Sequence, residues 1–147
     1  MEVIANGFMI MATITAMAAV IMGAIGGSIV WRVKSGLALG SLSTMGLYLL
    51  PAVAFLGFPW VAVVVFFGIP PLMLTFLTSF LAGHHLDARA NLPPIWATLA
   101  ALGSALTAGA LYLLLFRFSM QASIWVTLGA VVCLILIAFK NRKVAPR

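Results

Sequence analysis

Five long apolar runs, parted by short clusters of polar, glycine and proline residues, make up nearly the whole chain. The first covers residues 3–31 and stops at Arg32 and Lys34. The second covers 36–56 and ends at Gly57-Phe58-Pro59, a turn signal. The third covers 60–82 and gives way to the polar stretch from Gly83 through His84, His85, Asp87 and Arg89 to Asn91. The fourth covers 95–116 and stops at Arg117; the fifth covers 123–139 and is followed by Lys140, Asn141, Arg142 and Lys143. About 20 apolar residues cross roughly 30 Å of hydrocarbon as a helix. Backbone groups in lipid must bond within their own segment, so runs of this length predict helices rather than strands. The pattern therefore predicts an all-α integral membrane protein, with one transmembrane domain over residues 1–147 built as a bundle of five helices. No connecting loop is long enough to hold a catalytic domain outside the bilayer.

Charge orients this bundle. Short loops on the cytoplasmic side of a membrane carry excess Lys and Arg. With five spans and the N-terminus outside, seven of the eight basic residues face the cytoplasm and only Arg117 faces out. The tryptophans agree, because Trp31 and Trp96 fall at the expected cytoplasmic boundary and Trp60 and Trp125 near the outer one. Indole favours the headgroup level, where its ring is in apolar surroundings and its N–H is wet. The apolar start is about twice as long as a signal-peptide core and begins with Glu2 instead of a basic segment. It is expected to stay in the mature protein, and the short loops fit a bacterial inner membrane.

Composition removes other classes. Hydrophobic residues make up 65% of the chain and charged residues 7%, against roughly 25% charged in soluble domains. The net charge of +6 does not indicate nucleic acid, because the basic residues are spread over the ends of apolar runs and form no single face. Cys133 is the only cysteine, so neither an intrachain disulfide nor a cysteine metal cluster is available.

Three features are candidates for function. Gly68-Ile69-Pro70-Pro71 lies in the middle of the third span, where each proline removes an amide donor. A helix break there would expose carbonyls of the kind transporters use at mid-membrane, with Thr75, Thr78 and Ser79 close by. Pro51 would interrupt the second span more mildly. The same prolines also fit a kink that is merely packed over.

The second feature is a set of small-residue ridges. Thr15, Ala19, Gly23 and Gly27 recur every four residues on the first span, as do Ala97, Ala101, Ala105 and Gly109 on the fourth, and Gly36 and Gly40 open the second. Helices in lipid associate by close approach through such residues. At least one ridge is expected to face another subunit.

The third feature is the expected cytoplasmic loop with His84, His85, Asp87 and Arg89. Two imidazoles and one carboxylate fall short of the three or four ligands of most metal sites. Adjacent histidines on a helix point about 100° apart, so both cannot serve one haem. His84 and His85 are weak cofactor candidates, and an interfacial loop touching lipid phosphate is the plainer reading.

Asp, Glu, Lys, Arg and His are absent from the middle of every span, whereas such residues mark proton relays and ion-coupled sites. No catalytic constellation is evident, and no cofactor is expected. The leading expectation is a non-catalytic packing, assembly or accessory subunit of a larger membrane complex, with lipid and other membrane subunits as partners. The alternatives are a small oligomeric transporter or channel with a proline-broken third span, and a haem- or metal-binding redox subunit using His84 or His85.

Overall fold

A computed structural model describes residues 2–32, 36–90 and 92–144. All regular structure in them is helical: α1 (Glu2–Val30), α2 (Gly36–Leu56), a 3-10 turn (Phe58–Trp60), α3 (Val61–Ala90), α4 (Pro94–Phe118) and α5 (Met120–Val144). Five helices are long and apolar enough to cross a membrane, which is consistent with an integral membrane protein. Lys34, Asn91 and Arg147 lie outside the described residues.

The turn between α2 and α3 forms where Gly-Phe-Pro predicted it. Gly57 adopts φ 83°, a left-handed conformation that costs glycine little. Its amide donates to the Val53 carbonyl at 2.8 Å, closing the last turn of α2, and Pro59 starts the next segment. The join between α4 and α5 is tighter than expected. Ser119 alone connects α4 to α5, with its hydroxyl accepting the Ala122 amide at 3.4 Å as a helix cap.

The third span is the main correction. The polar stretch after Ala82 is not a loop, because α3 continues unbroken to Ala90. Leu86, Ala88, Arg89 and Ala90 favour helix, and after the single Gly83 no proline occurs until Pro93, whose ring disfavours helix at the residue before it. At 30 residues α3 is about 45 Å long, more than the hydrocarbon core needs.

Helix directions alternate through the bundle. α1 and α3 run parallel, with Gly23 against Leu72 and Gly27 against Phe76. α2 runs the other way along them, from Gly40 beside Val30 to Tyr48 beside Gly68. α4 is antiparallel to α1, with Gly109 at Val20 and Pro94 at Arg32. α3 packs closely on all four other helices, while among the described residues α2 does so only on α1 and α3.

Small residues let α1 and α3 meet almost backbone to backbone. Thr15, Ala19, Gly23 and Gly27 are all buried. A methyl group on Gly23 would strike the Leu72 carbonyl, and one on Gly27 the Phe76 carbonyl. The Ser79 hydroxyl donates across the same seam to the Ala24 carbonyl at 3.1 Å. Ala97, Ala101, Ala105 and Gly109 of α4 are buried as well, with Gly109 receiving Val20. Gly40 receives Val30 in the same manner, and Gly36 opens α2. The ridges of α1 and α4 are thus covered by this chain's own helices, contrary to the expectation that one would be left for another subunit.

Candidate functional site

Polar side chains gather in two places, along the interior seam and at one end of the bundle. The interior group comes mostly from residues that cannot leave their own helix. Thr75 donates to the Pro71 carbonyl at 2.8 Å, Thr78 to the Leu74 carbonyl at 2.7 Å and Thr44 to the Gly40 carbonyl at 2.7 Å. These hydroxyls satisfy themselves on the preceding turn, as expected where water is absent. Two cross between helices. Ser79 reaches α1, and the Tyr48 hydroxyl donates to the Thr15 carbonyl at 3.1 Å while resting against Gly68.

The expected break at Pro70 and Pro71 is not present as unwound backbone. α3 is helical at every residue through both prolines, and α2 is helical through Pro51. The prolyl φ is itself compatible with a helix, so the cost lies in the missing amides and the ring contacts. Pro70 and Pro71 are buried, and the surrounding helices hold the segment in register. The carbonyls they leave without an amide are those of Phe66 and Phe67, four residues earlier. Thr75 and Thr78 bond other carbonyls, so the hydroxyls expected to line a break do not converge on it.

The second group lies where the C-terminal end of α1 and the last turns of α3 meet the start of α4. Here Trp31, Arg32, His84, Asp87 and Pro94 line a cleft of ≈ 260 Å³. Arg32 is held on two sides: its Nη2 donates to the Pro94 carbonyl at 2.8 Å and to the Thr98 hydroxyl, and its guanidinium lies 5.5 Å from the centre of the Trp31 ring. Trp31 is only 8% exposed, wedged against Gly83 where any side chain would collide with its ring. Among the described residues its Nε1 has no hydrogen-bond partner. Trp31 is therefore a buried packing residue, not the headgroup-facing anchor that its position suggested. Trp96 and Trp125 are the exposed ones, at opposite ends of the bundle.

Because α3 extends to Ala90, the expected loop residues acquire helical spacing. His84 is half-buried, its ring stacked on Phe80 with centroids 6.5 Å apart. Asp87, three residues on, shares its face, and both border the cleft. His85 and Arg89 are exposed and do not line it. Among the described residues, no three His, Cys, Asp or Glu side chains come together as a metal site requires.

Sequence reasoning named His84 and Asp87 but missed Arg32, Trp31, Thr98 and Tyr48. Gly83, immediately before His84, and Gly68, before the prolines, were the available signals. Each glycine stands where an aromatic ring from another helix needs the room. Comparison with family models, with curated proteins and with solved structures finds no match for this chain.

Proposed function

We propose that this chain is a non-catalytic packing, assembly or accessory subunit of a larger complex in a bacterial inner membrane. In this reading it crosses five times, with its N-terminus outside and its C-terminus in the cytoplasm. The observation that carries the reading is a second small-residue face on α4. Ala100, Gly103, Thr107 and Ala110 form a stripe on the side of α4 away from its buried ridge, and all four are exposed. A side chain on Gly103 would meet open space. Small residues on a lipid-facing surface let another helix approach closely, and among the described residues no helix of this chain does so. The continuous α3 leaves the transport alternative with less support, since an unwound segment at Pro70 and Pro71 was its main motive.

The two faces of α4 permit a discriminating test. Gly103→Leu is expected to leave the fold unchanged and weaken association with the neighbouring subunit at least tenfold, measured by co-purification after mild extraction. Gly109→Leu, which would collide with Val20, is expected to disrupt the chain itself. A Gly103→Leu protein that retains every neighbour would remove the basis for the proposal.

Charge supports the orientation. Arg32, Arg89 and Lys140 sit at the end of the bundle that also carries Trp31, and Arg117 sits at the other. Basic residues favour the cytoplasmic face. A reporter active only in the cytoplasm, fused after Arg147, is expected to be active; activity from a periplasmic reporter instead would reverse the topology.

A further inference from the structure

We propose that the cleft between α1, α3 and α4 binds the zwitterionic head of a phospholipid, with the phosphate on Arg32 and a primary ammonium on Asp87. The inference is separate from the subunit reading and stands whether or not the chain has a protein partner.

Three observations lead to it. Arg32 is anchored in advance. A guanidinium carries five N–H donors, and the two on Nη2 are spent on Pro94 and Thr98 of α4. The remaining three belong to a charge that cannot swing away, which suits an anion with several acceptor oxygens. His84, held by its stacking on Phe80, borders the same space and can add an imidazole N–H.

Asp87 gives the opposite charge from a different helix. Arg32 and Asp87 line one cleft, yet among the described residues no ion pair within 4.0 Å joins them. Two opposite charges facing a common space, each without the other, match a ligand that carries both signs. A simple phosphate would satisfy Arg32 and be repelled by Asp87.

Size and position complete the case. At ≈ 260 Å³ the cleft is smaller than the roughly 300–1,000 Å³ of pockets that enclose whole small molecules. It has room for a head group whose hydrocarbon stays outside. Ile29 and Ile95, on the same ends of α1 and α4, are 60% and 70% exposed and offer an apolar surface for acyl chains. The exposed indole of Trp96 at the start of α4 and the helical extension of α3 bring the site to the edge of the apolar zone, where lipid head groups lie.

The test uses the purified full chain in detergent and native mass spectrometry. Phosphatidylethanolamine, phosphatidylcholine and phosphatidylglycerol with matched acyl chains are added, and soluble glycerophosphoethanolamine serves as a further competitor. The wild type is expected to retain phosphatidylethanolamine about tenfold better than phosphatidylglycerol, because only the former places a hydrogen-bonding ammonium at Asp87. Asp87→Asn, a near-isosteric change at an exposed position, is expected to abolish that preference. Arg32→Gln is expected to weaken retention of all three lipids, and His85→Ala to change nothing. A wild type without the preference, or an Asp87→Asn protein that keeps it, would overturn the assignment. Displacement by glycerophosphoethanolamine at concentrations equal to the lipid's would also overturn it, by making a soluble phosphodiester the ligand.

Discussion

Gly27→Ala is expected to destabilise the folded chain by about 3 kcal/mol, the upper part of the usual range for overpacking a close contact. The new methyl would meet the Phe76 carbonyl and the Ser79 side chain. A flexible side chain could turn aside, but the carbonyl belongs to the backbone of α3 and moves only with the helix. Relief requires α1 and α3 to separate, which loosens every contact along their parallel seam, including the Ser79–Ala24 hydrogen bond. Unfolding by denaturing detergent, followed by tryptophan circular dichroism, measures the effect. Gly46→Ala is the matched control. Nothing lies near a methyl at that position, and exchanging glycine for alanine in a helix is favourable by roughly 0.5–1 kcal/mol. Equal stability of the two variants would mean that α1 and α3 are not packed backbone to backbone.

Gly68→Ala is expected to cost about 2 kcal/mol by the same mechanism, acting on a different pair of helices. Here the obstruction is the phenol of Tyr48, a rigid ring carried near the middle of α2. Displacing it breaks the hydrogen bond to the Thr15 carbonyl and loosens α2, which among the described residues packs closely on α1 and α3. Amide hydrogen exchange should rise in α2 and much less in α4 and α5. A double-mutant cycle identifies the cause. Tyr48→Ala is destabilising alone, but in that background Gly68→Ala should cost almost nothing, so the two effects fall well short of adding. Additive losses would show that Tyr48 and Gly68 do not share this space.

Much of the bundle was legible because lipid imposes one rule on every span. Five apolar runs predicted five helices, and the start of each lies within a few residues of its expected place. The ridges at Thr15–Gly27 and Ala97–Gly109 were legible for the same reason, since their four-residue spacing has no other use on a membrane helix. Which surface covered them was not legible. That depends on how the five helices are arranged around α3, and a spacing on one helix carries no information about its neighbour. The extension of α3 was hidden by polarity. Histidine, aspartate and arginine after Ala82 mark the end of the apolar zone, but the helix ends only where proline forbids it. Pro70 and Pro71 misled in the opposite direction, because a missing amide weakens a helix without unwinding one that is enclosed. The cleft was half legible. His84 and Asp87 were visible as a polar group, but Arg32 comes from a separate run and meets them only through the parallel packing of α1 and α3.

The central place of α3 also bears on how the chain is made. Synthesis proceeds from the N-terminus, so a chain that enters the bilayer in that order places α1 and α2 there before α3, the helix they both pack against. Until α3 arrives, Gly23 and Gly27 would have no helix against them, and the pair would be held by contacts such as Gly26 with Thr44 and Gly40 with Val30. α4 and α5 follow, tied by a single residue at Ser119, and must be placed close together from the outset. Insertion in order of synthesis would therefore assemble the bundle as a waiting pair, then the helix that completes it, then a hairpin laid against the finished seam.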